Sequence, residues 1–193
     1  MQVAVGECQP TQRMFFALWP EPTLQRALAH IARSMQVAFG GRIVETRNIH
    51  LTLAFLGSVP AARVDDVLAI GASIRAARFS LNLVETGCWK RSAVAWIAPD
   101  TSPQPLEDLV RALRQQLLDA RIGVDDKPFA PHVTLVRKAQ CQPHPVRQTA
   151  ESESLARSTG IPVAWHVDSF VLIRSDTLQT GPVYSRVGAW QLI

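Results

Sequence analysis

One pattern, His-x-Thr-Leu, occurs twice: as His50-Leu51-Thr52-Leu53 and as His132-Val133-Thr134-Leu135, with one copy in each half of the 193-residue chain. A β-strand points successive side chains to opposite faces, so the His and Thr of each string share a face. The apolar residues of the string face the other way and suit a core. Each string therefore predicts a strand that packs on one side and offers an imidazole and a hydroxyl to a cleft on the other.

Hydrophobic periodicity divides the rest of the chain into further helices and strands. It predicts helices over 22–39, 60–77 and 106–120 and strands over 14–19, 50–56, 81–84, 93–97, 163–173 and 183–192. Residues 1–12 are expected to form a loose tail, and 140–159 a long loop. The halves have similar content, so we expect one α+β domain over 1–193 whose two pseudo-twofold-related lobes, each an antiparallel sheet with helices outside, face a central cleft.

The cysteines and the hydropathy profile indicate a compartment. Cys8, Cys88 and Cys141 are odd in number and widely spaced, which favours a reducing environment and argues against a disulfide framework or a zinc ribbon. No segment resembles a signal peptide or approaches the 18 apolar residues of a membrane span. We therefore expect a cytoplasmic monomer away from the membrane. The net charge of +4 is compatible with a nucleic-acid ligand, although the arginines are scattered.

Two imidazoles that face one another can act as general acid and general base near neutral pH. With two threonine hydroxyls to hold phosphate oxygens, this set meets the needs of phosphodiester cleavage without a metal or another cofactor. The alternative is a purely structural role, in which the two strings are half-buried strands whose His and Thr satisfy each other's hydrogen bonds. A metal site is disfavoured because His50 and His132 have no Cys, Asp or Glu at ligand spacing.

Several segments carry a family resemblance: RMFFAL at 13–18, NIHLTLAFLG at 48–57, FAPHVTLVR at 129–137, and a tail from Leu172 that includes Tyr184 and Trp190. In this order they resemble the 2H phosphoesterase superfamily and, within it, the bacterial and archaeal RNA 2',3'-cyclic phosphodiesterases, also called 2'-5' RNA ligases. The resemblance implies a two-lobed α+β fold and hydrolysis of a terminal 2',3'-cyclic phosphate to a 2'-phosphate. It also implies His50 as general acid, His132 as general base, and Thr52 and Thr134 as their partners.

Three further residues are candidates for substrate binding. Arg137 matches the arginine that often ends the second motif of the family and suits phosphate. Strand alternation sends it to the face opposite His132, so a bulge or a strand end is needed to bring it back. Phe15 and Phe16 are adjacent, so one should face the core while the other could stack on the terminal base.

Alternative functions remain open at this point. The same cleft could act as a 2'-5' ligase or on another small cyclic phosphate, because the same two histidines serve both directions of the reaction. An RNA module that binds phosphate ends without turnover belongs to another class. The expected partners are accordingly RNA 3' ends or small nucleotides that carry a 2',3'-cyclic phosphate.

Overall fold

The computed structural model describes residues 10–141, 163–178 and 181–193. The predicted loose tail and the predicted loop over 140–159 lie mostly outside these residues. The elements are, in order, β1 (Thr11–Leu18), α1 (Pro22–Phe39), β2 (Arg42–Ile43), β3 (Leu51–Pro60), α2 (Val64–Ser73), β4 (Phe79–Trp89), β5 (Val94–Pro99), α3 (Gln104–Asp119), β6 (Val133–Arg137), β7 (Val163–Val167), β8 (Ser169–Leu178) and β9 (Gly181–Gln191).

Helices α1 and α3 form where apolar residues recur at helical spacing. Both bury that stripe, and every apolar stripe residue of α3 is at most 3% exposed: Leu106, Leu109, Val110, Leu113 and Leu117. Helix α1 ends at Phe39 and is followed by Gly40, whose φ is +62°. At Gly41, a Cβ would come within 2.6 Å of the Arg137 carbonyl oxygen, so only glycine lets the chain turn this close to β6.

The helix predicted over 60–77 is shorter than expected. Residues Ala61–Arg63 form a 3-10 turn, and the α-helix runs only from Val64 to Ser73. Ile74 is extended and buried, because the chain leaves the helix there to enter the core before β4 begins at Phe79. Local spacing of apolar residues does not contain this exit, which is determined by packing against other elements.

All the strands pair antiparallel in one sheet, in the order β7-β4-β5-β6-β3-β1-β8-β9, with the short β2 beside β6. The central neighbours β3 and β6 share a single bridged pair, Leu51 with Val133. This seam divides the sheet into a first lobe (β3, β1, β8, β9) and a second lobe (β6, β5, β4, β7). The expected two-lobed α+β architecture is confirmed.

Strands β7 and β9, the two outermost in this order, lie close to each other near Asp168. The single strand predicted over 163–173 is in fact β7 and β8, separated only by Asp168. Strand β7 pairs with β4 in the second lobe, whereas β8 pairs with β1 in the first. The break is therefore the point where the chain crosses between lobes, and the Leu192 N–H donates to the Asp168 carbonyl oxygen there, at 2.7 Å.

Cys88 and Cys141 form a disulfide, so the argument against disulfide bonding was wrong for these two cysteines. They are 53 residues apart in sequence, but their Cα atoms lie 5.5 Å apart. The cause is topological: Cys88, the second-last residue of β4, pairs with Ala95 of β5. The segment after β6 runs along the other side of β5, where the Ala139 N–H donates to the Ala93 carbonyl oxygen. Separately, no helix of the described part of the chain is long and apolar enough to cross a membrane.

Candidate active site

The seam between the lobes brings the two His-x-Thr strings together. Because Leu51 pairs with Val133 in an antiparallel register, His50 lies across from Thr134 and Thr52 across from His132. Leu51 and Val133 are fully buried on the core side, so the four polar side chains share the opposite face. They line one cavity of about 110 Å³. The quartet is nearly twofold symmetric about the Leu51–Val133 pair.

Both imidazoles are oriented by the same backbone contact. The Nδ1–H of His50 donates to the Asn48 carbonyl oxygen at 2.7 Å, and the Nδ1–H of His132 donates to the Ala130 carbonyl oxygen at 2.8 Å. Each contact assigns the proton of the neutral ring to Nδ1. The Nε2 atom of each ring is therefore left to accept or release a proton.

Three aromatic rings enclose His50. Phe15 and Trp19 stack on it with ring centroids 4.9 and 5.2 Å away, and Tyr184 meets it edge-on at 5.5 Å. This burial lowers the pKa of His50 from its ordinary value of 6.5 to about 4, against the opposing effect of the Asn48 hydrogen bond. The charges of Arg137 and His132 lower it further. In the free protein at neutral pH, His50 is uncharged.

His132 has a more open environment. Trp89 is its aromatic neighbour, edge-on with centroids 4.5 Å apart. Burial is the main cause that lowers the pKa of His132, with a contribution from the charge of Arg137, while the hydrogen bond to Ala130 acts in the opposite direction. The two motifs are alike in sequence, but their surroundings are not.

A β-bulge returns Arg137 to the cleft. In the pairing of β5 with β6, Ala95 faces Val136 but Trp96 faces Thr134, so Leu135 has no partner on β5. Leu135 and Val136 are consecutive and both are fully buried, which breaks strict alternation. Arg137 consequently lies on the same face as Thr134 and lines the cavity between the histidines. Its guanidinium is a natural partner for a phosphate there.

The two phenylalanines take separate faces, as adjacent strand residues must. Phe16 is fully buried in the core against Phe170 and Trp190, so its assignment as a stacking platform was wrong. Phe15 faces the cleft, but one face of its ring is stacked on His50 and it is only 3% exposed. Phe15 therefore packs against the imidazole of His50 and presents little surface to a base.

Sequence reasoning missed three residues of the site: Trp19, Tyr184 and Arg42. Trp19 directly follows β1, and Tyr184 is the single tyrosine of the chain, in a tail that was noted only for its order. Arg42 lies across from Arg137 in the pairing of β2 with β6 and lines the same cavity. The Gly40-Gly41 turn, which returns the chain to β6, was the available signal for Arg42.

No cluster of three or more His, Cys, Asp or Glu side chains that could hold a metal ion occurs among the described residues. The cavity is lined by the guanidinium groups of Arg137 and Arg42 and by one carboxylate, that of Glu45, which is paired with Arg47. A planar fork of N–H donors matches phosphate oxygens in geometry as well as charge. The arrangement suits an anion placed between two imidazoles.

The chain is similar to known phosphoesterases along most of its length. A family model described as LigT like Phosphoesterase matches twice, over residues 18–96 and 97–184, one match for each His-x-Thr string. The RNA 2',3'-cyclic phosphodiesterase of Escherichia coli is 35% identical over 128 residues, which cover 66% of this chain and 73% of the relative. The enzyme of the same description from Thermus thermophilus is 30% identical over 184 residues, which cover 90% of this chain and 86% of the relative.

Solved structures show the same fold. The crystal structure of E. coli LigT complexed with 3'-AMP aligns with a TM-score of 0.81 at 29% identity, covering 95% of this chain and 99% of that one. A structure described as a phosphoesterase aligns equally well, with a TM-score of 0.81 at 28% identity and the same coverage. The likeness therefore includes both lobes and the seam between them.

Proposed function

The chain belongs to the LigT-like phosphoesterase family, and we propose that it hydrolyses the 2',3'-cyclic phosphate at RNA ends to a 2'-phosphate by acid–base catalysis between its two motif histidines. The observation that carries the proposal is the pairing of Leu51 with Val133, which places both His-x-Thr sets on one face of the seam. A phosphate between them meets a proton acceptor on one side and a proton donor on the other.

In this reaction, His132 is the base and His50 the acid. The Nε2 atom of His132 takes a proton from a water molecule, whose oxygen attacks phosphorus as the bond to O3' breaks. The Nε2–H of His50 gives its proton to O3', and the phosphate stays on O2'. Exchange with solvent then returns the proton from His132 and restores the one on His50. Thr52 and Thr134 donate hydrogen bonds to the non-bridging oxygens, while Arg137 balances their charge.

The surroundings of each histidine suit its role. His132 is neutral above its lowered pKa and is ready to accept a proton at neutral pH. His50 binds its proton when the substrate enters, because a nearby phosphate anion raises the pKa and the stacked faces of Phe15 and Trp19 favour a cation. An imidazolium whose pKa is normally held down is also a stronger acid toward the leaving oxygen.

The direct test is incubation with an oligonucleotide that ends in a 2',3'-cyclic phosphate, followed by identification of the hydroxyl that keeps the phosphate. We expect a 2'-phosphate. His50→Ala and His132→Ala should each lower turnover at least about a hundredfold without loss of folding. His166→Ala is the matched control, because His166 lies on β7 and is hydrogen-bonded to Ser80. Unchanged turnover in both motif variants would overturn the mechanism.

A substrate with sulfur in place of O3' separates acid from base. A thiolate leaves without a proton because its conjugate thiol has a pKa near 8.5, far below that of an alcohol. We expect this substrate to restore most of the turnover of His50→Ala and none of that of His132→Ala. Restoration of His132→Ala alone would reverse the two roles.

We further propose that the enzyme works as a monomer in the cytoplasm. One chain supplies both histidines, so the site needs no second copy; light scattering during turnover tests this.

RNA substrates favour the cytoplasm, whereas the Cys88–Cys141 disulfide is evidence against it, because cytoplasmic disulfides are rare. Rapid alkylation of lysed cells, followed by mass spectrometry of both cysteines, tests the location: trapped thiols support it, and a fully oxidised pair contradicts it.

A further inference from the structure

Few polar side chains are buried in the part of the chain that the structure describes, and two of them meet beside His50. Gln25, on α1, and Asn48, in the 3-10 turn Thr46–Asn48, are each 7% exposed. An apolar side chain in place of Gln25 would add to the hydrophobic stripe of α1 without desolvating an amide. The buried amide of Gln25 therefore needs partners inside the protein.

Both partners of the Gln25 amide nitrogen are backbone carbonyl oxygens. The Nε2 atom donates to the carbonyl oxygen of Arg47 at 3.3 Å and to that of Ile49 at 3.2 Å. Carbonyl oxygens only accept hydrogen bonds, so the nitrogen of the amide, and not its oxygen, has to face them. The nitrogen carries two hydrogens, one for each partner. The side chain of Gln25 thus bridges the residues on either side of Asn48.

The bridged residues flank the carbonyl group that orients His50. The carbonyl oxygen of Asn48 accepts the Nδ1–H of His50 at 2.7 Å. The turn that presents this oxygen has three residues, backbone hydrogen bonds of 2.8 and 3.2 Å, and no side-chain bond at its N-cap. Because 3-10 turns have poorer hydrogen-bond geometry than α-helices, so short a turn depends on support from other elements. Helix α1 gives that support through Gln25.

The two imidazoles differ in how firmly their acceptors are held. The side-chain amide of Asn48 donates to the Pro182 carbonyl oxygen on β9 at 3.4 Å, so the turn before His50 is tied to β9 as well as to α1. Among the described residues, no side-chain donor reaches the carbonyl oxygens on either side of Ala130, whose own carbonyl oxygen accepts the Nδ1–H of His132. The acceptor for His50 is therefore the more strongly supported of the two.

Orientation matters greatly for a residue that gives a proton to a leaving oxygen. The donor N–H must point at O3' within hydrogen-bond reach as the bond breaks, and a misplacement of about 1 Å can cost about a hundredfold in rate. Nδ1 and Nε2 belong to one rigid ring, so a contact that holds Nδ1 also fixes the direction of Nε2. The Asn48 carbonyl group makes that contact in His50.

We propose that Gln25 is a positioning residue: it holds the turn Thr46–Asn48 so that the Asn48 carbonyl group keeps Nε2 of His50 directed into the catalytic cavity. Gln25 does not line that cavity, so it acts through Asn48 and not on the substrate. The inference rests on the proposed function and deepens it, because it names a residue outside both motifs on which the acid step depends.

The variant Gln25→Met keeps nearly the same side-chain length and has no N–H group. It should lower kcat for an oligonucleotide that ends in a 2',3'-cyclic phosphate about tenfold to a hundredfold, with KM nearly unchanged because no contact to phosphate is lost. The substrate with sulfur in place of O3' needs no proton donor, so its turnover should stay close to that of the unaltered protein. A loss of folded protein alone would lower both rates equally.

NMR gives a second measurement that does not depend on turnover. At neutral pH, the nitrogen chemical shifts of His50 should show a proton on Nδ1 in the unaltered protein. In Gln25→Met they should show a mixture of Nδ1–H and Nε2–H forms, because the acceptor for Nδ1–H is displaced. The shifts of His132 should be the same in both proteins.

The matched control is Gln36→Met, which makes the same substitution on the same helix. It removes a hydrogen bond from Nε2 of Gln36 to the Gly41 carbonyl oxygen, at 3.0 Å. It should change neither the ratio of the two turnover rates nor the tautomer of His50. If Gln25→Met fails to fold, Gln25→Asn, whose amide is one methylene too short to reach both carbonyl oxygens, takes its place with the same expected results.

Equal loss with both substrates in the Gln25 variant, when the sulfur substrate restores His50→Ala, would overturn the inference. An unchanged tautomer of His50 would overturn it as well. If the proposed function itself is wrong, the unaltered protein will turn over neither substrate, while the NMR shifts still test the effect of Gln25 on His50. The two failures are therefore distinguishable.

Discussion

Among single residues, the two histidines differ more than their matching motifs suggest. Both carry a proton on Nδ1 that is donated to the carbonyl oxygen two residues earlier, but only His50 is enclosed by aromatic rings. The motif therefore determines orientation, whereas neighbours from other parts of the chain determine basicity. Two expectations follow, one for the pH dependence of the reaction and one for the aromatic enclosure.

We expect the pH profile of kcat/KM to be bell-shaped, with both limbs below pH 6.5. The base must be neutral and the acid protonated, so the rate falls when the pH drops below both pKa values and when it rises above both. Burial lowers both pKa values from 6.5, that of His50 to about 4. The kcat profile should lie at higher pH, because the bound anion raises both. Steady-state rates over a pH series test this, and a basic limb of kcat/KM above pH 7 contradicts it.

Trp19→Leu should raise the pKa of His50 from about 4 toward 6.5. The substitution removes the flat ring that stacks on His50 and lets water reach the imidazole. NMR titration of the ring protons measures this directly. Trp89→Leu is the reciprocal control, since it should raise the pKa of His132 and leave that of His50 in place. Equal shifts of both histidines in either variant would show that the rings do not act locally.

Among the secondary-structure elements, β6 shows how one irregularity builds a site. Without the bulge at Leu135, Arg137 would face away from the quartet.

Arg137→Ala should raise KM about tenfold to a hundredfold through loss of a charged contact to phosphate. It should also raise the pKa of both histidines, because the Arg137 charge lowers both. Arg137→Lys should keep the pKa values and recover KM only in part; kinetics and NMR titration of both variants check this.

The disulfide joins the end of β4 to the segment that follows β6. A cross-link over a sequence separation of 53 residues stabilises the fold mainly by restricting the unfolded chain, typically by about 2–4 kcal/mol. We expect Cys88→Ser and Cys141→Ser each to lower the midpoint of thermal unfolding, and a reductant to lower it in the unaltered protein but not in these two variants. Cys8→Ser is the control and should retain the response to reductant. A reductant that leaves the midpoint unchanged would show that the bond contributes nothing.

The sequence predicted those features of the fold and the site that depend on residues close together along the chain. The stripe of α3 and the shared face of His50 and Thr52 follow from local periodicity. The unpaired Leu135 and the break at Asp168 depend on strands that arrive from elsewhere, and so does the meeting of Cys88 with Cys141. From strand alternation we could predict that Arg137 reaches the site only if a bulge or a strand end redirects it. The sequence alone does not show that a bulge forms. The aromatic enclosure of His50 depends likewise on Tyr184, far along the chain.

Considered as one molecule, the two lobes share more than the seam. Helix α1, which follows β1 of the first lobe, packs on β6 and β7 of the second, and α3 packs back on β3. One cluster of buried residues extends through both lobes. We therefore expect a single unfolding transition by calorimetry. Leu51→Ala at the seam should lower the free energy of unfolding by about 2–5 kcal/mol without splitting that transition. Two separate transitions would mean that the lobes fold independently.

The near-twofold arrangement about Leu51 and Val133 has a consequence for regiochemistry. A phosphate on that local axis meets one imidazole and one hydroxyl from each strand, whichever way round it binds. The quartet by itself thus provides the chemistry but has no preference between O2' and O3' as the leaving oxygen. The preference must come from features that the local twofold axis does not repeat: the three rings around His50 and the more open surroundings of His132. Redesign of the product isomer should therefore begin with Trp19, Tyr184 or Trp89, with the motif residues left intact.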